Sequence, residues 1–247
     1  PGKMRQHDVG VARYRSAPCQ DCPFLVDRLT SWLEELEREL PSELGLARAI
    51  VLAIIAHLYI AWIHPYGDGN GRTARLVEFA ILVKAGVPVP AAHLLSDHYN
   101  ETRTQYYREL DRASKSGGDI IPFIHYAMQG LVDKLRDQIE EVKKQQLRVA
   151  WINYVFETLH EHTEASKRRR ALVFALTGAA EPVRIRDAMT LTPALAGLYA
   201  VKTTRTLARD LNALRKAGLI RSIRGGRIQA NTGLMLAFLP ARAQPAP

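Results

Sequence analysis

Cysteine is scarce in this chain of 247 residues: only Cys19 and Cys22 occur, so no disulfide framework can be built, and a reducing, cytoplasmic compartment is the expectation. The two form a single C-x-x-C, which is half a zinc site and finds no further cysteine to complete it. No apolar stretch follows the polar, basic first fifteen residues, so no secretory signal is expected there. The longest apolar run, residues 49–63, is interrupted by His57. It falls short of the roughly 20 residues that cross a bilayer and reads as a buried helix, with no membrane partner. Internal repeats are absent, and an initiator methionine is missing, so position 1 is expected to lie inside a longer protein. What is present is ordinary globular material, with 47% hydrophobic and 24% charged residues.

Charge divides the chain. Residues 167–230 carry 14 Lys or Arg against Glu181, Asp187 and Asp210, whereas residues 1–166 hold 19 basic and 22 acidic side chains. The overall net charge of +9 is therefore concentrated in one segment, whose field attracts phosphate backbones or an acidic surface.

Periodicity gives a mainly α fold. Residues 24–40 place Leu25, Leu29, Trp32, Leu33, Leu36 and Leu40 on one face of an amphipathic helix. Residues 43–63 are apolar all round, as the central helix of a bundle would be. Pro65, Gly67, Gly69 and Gly71 then form a loop, and helical spacing resumes over residues 72–85 until Gly86, Pro88 and Pro90. Further helices are expected at 97–114, 121–130 and 131–162, the last as a charged connector between two bodies. Alternation over residues 9–15 predicts a short strand or hairpin edge. In the basic segment, helices are expected at 168–176, 182–188 and 203–217, the last stopped by Gly218, followed by strands at 219–221 and 227–229 around Gly225-Gly226. That order is the pattern of a winged helix-turn-helix. The expected domains are residues 1–150 and 165–240.

The stretch that carries chemistry is residues 64–75, HPYGDGNGRTAR. Its alternate glycines allow positive φ and turn successive amides inward, and the loop feeds a helix whose first amides lack intrahelical acceptors. Gly69, Asn70 and Gly71 are therefore candidates for a phosphate nest at the positive end of the helix dipole. Arg72 and Arg75, three residues apart, fall on one helix face and can clamp further phosphate oxygens. Asp68 inside this cationic loop makes sense if Mg²⁺ bridges it to the phosphates. His64, at the end of the apolar helix, is placed to take a proton.

These residues resemble the signature of the Fic family, H-x-F-x-(D/E)-G-N-G-R-x-x-R, departing from it only at Tyr66 where the family has Phe. The resemblance extends over roughly residues 1–130, including PGKMR at the start and YNETRTQYYREL after the motif. It implies a Fic helical bundle with a hairpin flap at residues 9–15 that aligns a target segment by strand addition. Gly71, where a phosphorylating branch has Lys, resembles the adenylyl-transferring branch. The implied activity is transfer of AMP from ATP to a Tyr, Thr or Ser hydroxyl of a target protein. By that resemblance His64 deprotonates the hydroxyl, Asp68 holds Mg²⁺, Asn70 and neighbouring amides bind the α-phosphate, and Arg72 and Arg75 hold the β/γ-phosphates. Asn100, Tyr106 and Tyr107 match the region of the adenine pocket, although Tyr106 and Tyr107 read equally well as ordinary residues of an amphipathic helix. His57, His93, His98 and His125 read as structural.

In the basic segment Lys202, Thr203, Thr204, Arg205 and Arg209 would meet DNA at the start of the third helix. A winged helix also serves as a protein-docking or homodimerising unit. The alternatives to an AMP transferase are a DNA-binding regulator whose Fic core senses nucleotide, and an enzyme that removes AMP. The family's inhibitory (S/T)-x-x-x-E-(G/N) motif does not occur in the chain, so constitutive activity, self-modification included, is expected.

Overall fold

The computed structural model describes residues 3–11 and 14–238 and divides into two units, residues 1–139 and 140–247. Unit 1 is helical apart from a hairpin of β1 (Gly10–Val11) and β2 (Tyr14–Arg15), antiparallel with Gly10 opposite Arg15. The expected edge strand is thus a two-strand hairpin. Next, α1 (Cys22–Glu39) begins with Pro23 in its first turn, where a missing N–H costs nothing, and ends before Pro41. Its apolar face, Leu29 with Trp32 and Leu33, packs on α2 (Leu46–Ile63), where Trp32 meets the Tyr59 ring edge-on at 5.0 Å. As expected, α2 is the buried centre, with Ile54, Leu58 and His57 fully enclosed. Along it packs α3 (Asn70–Lys84).

After the short α4 (Val89–Ala92), the helix expected at 97–114 is two, α5 (Leu94–Glu101) and α6 (Arg103–Lys115). The break is Thr102, at φ −101° and ψ 34°, whose hydroxyl donates to the His98 carbonyl at 2.7 Å and so diverts the chain from helical continuation. The opposite error occurs at Gly130. The helices expected at 121–130 and 131–162 are one, α7 (Ile121–Thr158), which runs on through the glycine. Packing decides this: a Cβ at Gly130 would lie 2.2 Å from the His98 ring, so glycine is what lets α7 approach α5.

Unit 2 contains the end of α7, then α8 (Glu164–Gly178), β3 (Val183–Arg184), a 3₁₀ turn (Ile185–Thr190), α9 (Pro193–Tyr199), α10 (Thr204–Lys216), β4 (Ile220–Ile223) and β5 (Arg227–Ala230). The antiparallel sheet has the order β3-β5-β4, with Val183 opposite Ile228 and Ser222 opposite Ile228 on the other side. Residues 182–188 are therefore strand and 3₁₀ turn instead of the expected helix, because Val183 and Ile185 take backbone partners from β5 and Gly226. The second helix is α9, announced by Thr192 capping Leu195 N–H at 3.2 Å and by Pro193 at the first helical position. Gly218, at φ +72°, ends α10 as expected, with Leu219 N–H reaching back to the Leu214 carbonyl.

Three arginines near the start of α8 are engaged by the fold. Arg168 donates to Asp210 at 2.7 and 3.2 Å and Arg169 at 2.9 Å, while Tyr199 hydroxyl adds a 3.0 Å bond to the same carboxylate, which is 1% exposed. Arg170 donates to the Glu161 carbonyl at 3.2 Å. These bonds tie α8, α9 and α10 together around one satisfied buried acid.

Candidate active site

The loop between α2 and α3 forms the site. α2 ends because Pro65 cannot continue it, and His64 turns into the left-handed region at φ 53°, ψ 56°. Of the loop's three glycines only Gly69 has positive φ, at 88°; Gly67 and Gly71 do not. Their service is space: nothing lies within 4 Å of where a Gly67 Cβ would be, which leaves the loop open to a ligand. The left-handed residue that spacing did not reveal is His64, since any signal for it would have pointed to a glycine.

Asn70, 2% exposed, locks the loop. Its Nδ2 donates to the Tyr66 carbonyl at 2.6 Å and its Oδ1 accepts from Tyr66 N–H at 2.8 Å. The Asn70 side chain is thus bonded to the backbone of Tyr66, and its own amide lies at the start of α3. Thr73 N–H is the first of α3 to bond within the helix, to Gly69 carbonyl at 2.8 Å, so the amides of Gly69, Asn70, Gly71 and Arg72 precede the ladder. Asp68 Oδ1 accepts from Gly69 N–H at 2.6 Å and its Oδ2 from Arg72 Nη2 at 2.8 Å. Both side chains of that pair are largely exposed, 90% and 73%, so it is weak and exchangeable. The Arg72 guanidinium lies beside Gly69 and that of Arg75 beside Gly71, each 3.5 Å from where a Cβ would stand. Two cations and a helix N-terminus therefore converge on one spot.

His64 Nδ1 lies 3.4 Å from the Ala61 carbonyl. A carbonyl only accepts, so that nitrogen carries the proton and Nε2 keeps its lone pair. Partial burial holds the imidazole pKa below its ordinary 6.5, with the Arg5 charge acting in the same direction against the Ala61 contact.

A cleft of about 560 Å³ gathers His64, Asp68, Gly69, Asn70, Gly71, Arg72 and Arg75 together with Asn100, Tyr106 and Tyr107. All ten residues singled out in the first 150 positions line it. Tyr106 is mostly buried and forms its floor, whereas Tyr107 is 46% exposed with Arg103 5.8 Å over its ring. Sequence reasoning missed Tyr99 and Arg103, which also line the cleft. Helical spacing of three and four from Asn100 and Tyr107 could have found Arg103.

Beneath the floor runs a buried polar chain. Tyr106 hydroxyl meets His57 Nε2 at 2.9 Å, His57 Nδ1 lies 3.3 Å from Glu78 Oε2, and Tyr99 hydroxyl donates to Glu78 Oε1 at 3.0 Å. Burial beside Glu78 raises both tyrosine pKa values well above their ordinary level, so both hydroxyls keep their protons. One chain thus joins α2, α3, α5 and α6, the four helices that frame the cleft. Among the described residues no group of three or more His, Cys, Asp or Glu is placed to hold a metal; the cleft offers the single carboxylate of Asp68.

The five basic-segment candidates belong to unit 2, just before and within the first half of α10. Lys202, Thr203, Thr204, Arg205 and Arg209 are all exposed, and the Thr203 side chain makes no capping bond. Glu78→Leu leaves the Tyr99 hydroxyl without its acceptor and removes the carboxylate beside His57 Nδ1, and is expected to cost unit 1 about 2 kcal/mol, read as a lower urea midpoint. Glu78→Gln, which keeps one acceptor, should lose less; wild-type midpoints for both would contradict the chain.

Residues 1–82 match the Fic/DOC family. The chain is 34% identical over 128 residues to a protein adenylyltransferase Fic of Nematostella vectensis, covering 49% of this chain and 27% of that protein. It is 30% identical over 128 residues to a protein adenylyltransferase Fic of Drosophila mojavensis, covering 51% and 22%, and 31% identical over 125 residues to protein adenylyltransferase fic-1 of Caenorhabditis briggsae, again covering 51% and 22%. The chain therefore spans between 22% and 27% of the length of these relatives. Among solved structures, a Fic family protein from Desulfovibrio desulfuricans G20 aligns with a TM-score of 0.49 and 23% identity over 93% of this chain and 62% of that one. The family match contains the entire loop from His64 to Arg75 and ends near the end of α3.

Proposed function

We propose that unit 1 transfers AMP from ATP to a hydroxyl side chain of a target protein and releases pyrophosphate. The observation that carries this reading is the single cleft in which an imidazole with a free Nε2, a helix N-terminus and two guanidinium groups face one another. His64 Nε2 takes the proton of the attacking Tyr, Thr or Ser hydroxyl as its oxygen bonds to the α-phosphorus. The bond from that phosphorus to the bridging oxygen breaks, and pyrophosphate leaves with the electron pair. Amides of Asn70 and Gly71, joined by that of Gly69 once it leaves Asp68 Oδ1, stabilise charge growing on the α-phosphate, and Arg72 and Arg75 hold the departing phosphates. Tyr107 and Arg103 offer a flat surface for a base, beside Asn100. Mg²⁺ fits as a partner of the nucleotide: it takes one or two carboxylates plus phosphate oxygens and water, and Asp68 supplies one exposed carboxylate, whose Oδ2 is held by a weak pair and whose Oδ1 accepts from Gly69 N–H. Bound there, it would neutralise phosphate charge.

For unit 2 we propose a winged helix that binds duplex DNA. Three helices followed by the β4–β5 hairpin, with β3 completing the sheet, support the fold. The exposed Lys202, Arg205 and Arg209, left over after Asp210 engages Arg168 and Arg169, support the ligand.

Incubation with α-labelled ATP and a lysate should label protein, and His64→Ala should reduce labelling at least a hundredfold or so. Because the base must be neutral and burial lowers its pKa in the free protein, kcat/KM should rise from acid and level off with a midpoint below the ordinary 6.5. No transfer by the wild type, or a midpoint above 6.5, would contradict this. For unit 2, fluorescence anisotropy with a labelled duplex should show affinity falling about a hundredfold between roughly 50 and 200 mM salt if about four phosphates are contacted. No binding at the lower salt, or binding indifferent to it, would contradict the second reading.

A further inference from the structure

Arg5 is the most heavily used cation of unit 1, and neither the cleft nor the proposed chemistry accounts for it. Its side chain is fully buried. Nε donates to the His64 carbonyl at 2.8 Å, and Nη2 to the Ile63 carbonyl at 3.4 Å, to Ser16 Oγ at 3.1 Å and to the Ala17 carbonyl. Nη1 donates to the His7 carbonyl at 2.9 Å and lies 3.4 Å from Asp8 Oδ1. Its own N–H bonds to the Pro65 carbonyl at 2.9 Å.

These acceptors fall into two groups that are distant in sequence. Ile63, His64 and Pro65 are the last carbonyls of α2 and the turn beyond it, where orphan acceptors and the negative end of the helix dipole favour a cation. In that turn His64 has the only positive φ of any non-glycine described, a conformation that costs about 1–2 kcal/mol and persists only where its surroundings hold it. His7, Ser16 and Ala17 are the two stems of the β1–β2 hairpin, closed by Ser16 Oγ donating to the Val9 carbonyl at 2.7 Å. One planar fork spans both groups, which a single ammonium could not do.

We propose that Arg5 is a positioning residue that fastens the hairpin stems and the His64 turn to one another, so that whatever the hairpin carries is registered against the imidazole. It acts through backbone carbonyls and Ser16 Oγ, not through contact with the nucleotide or the target's hydroxyl. The kinetic part of this inference rests on the transfer reading above; the structural part does not.

The test compares Arg5→Gln and Arg5→Lys with wild type. In both, the transfer rate at saturating nucleotide should fall roughly a hundredfold, as a misplacement of about 1 Å would cause, while ATP affinity measured by calorimetry stays within about twofold. Lys should fail to rescue, because charge without the fork cannot hold both groups. Backbone amide NMR shifts of His64, His7 and Ala17 should move together in each variant, with α3 amides unchanged. Loss of ATP affinity in parallel with rate, full rescue by Lys, or movement at only one of the two groups would overturn the proposal. Should Arg5→Gln not fold, Arg5→Lys decides. A wild type that transfers no AMP sinks the transfer reading, and the amide shifts still decide the role of Arg5.

Discussion

The site depends on a two-bond clasp between the buried amide of Asn70 and the peptide at Tyr66. By meeting both a donor and an acceptor of the loop, Asn70 closes the chain on itself just where α3 begins. A carboxylate could accept but not donate, and a larger amide would overfill a position that is nearly sealed. With the loop closed, the amides ahead of the α3 ladder have a fixed direction, and the side chains of Arg72 and Arg75 come down beside Gly69 and Gly71. Removing water's competition is then the task of the cleft walls, which α5 and α6 supply. The Thr102 break between those helices sets Asn100 on one side of the bend and Arg103, Tyr106 and Tyr107 on the other.

Rigid support comes from below. The chain from Tyr99 through Glu78 and His57 to Tyr106 places polar groups where apolar packing would have been simpler, with His57 Nδ1 lying 3.3 Å from Glu78 Oε2 but without a hydrogen bond of its own. Its value is registry, since it ties the helix that ends in His64 and the helix that begins at Asn70 to the two that form the wall. Arg5 supplies the corresponding registry at the carbonyls of Ile63, His64 and Pro65. The basic unit uses the same device, with Asp210 joining three helices.

Much of this was legible in the sequence. Amphipathic spacing located α1 and α3, all-round apolarity identified α2 as the buried centre, and glycine with arginine spacing singled out the loop whose residues line the cleft. Sequence reasoning failed where tertiary contacts decide. Gly130 reads as a helix stop, yet it is a point of close approach to His98; Thr102 reads as a helix interior and is a bend; residues 182–188 read as a helix, yet Val183 and Arg184 pair with β5 and a 3₁₀ turn follows. The Thr192-Pro193 start signal was available and announces α9. The side chain of Asn70 carries no mark to show that it will bond both backbone groups of Tyr66. Nor does Arg5 show in sequence which carbonyls it will reach 58 and 59 positions away.

The central claim is that the amides opening α3 form an anion site beside His64. Titration of the ¹⁵N-labelled chain with inorganic pyrophosphate, without metal, tests it most directly. Saturable shifts confined to the amides of Gly69, Asn70, Gly71 and Arg72 and their immediate neighbours are predicted. Unchanged resonances in that stretch, while other amides of the chain respond to the same anion, would contradict the account.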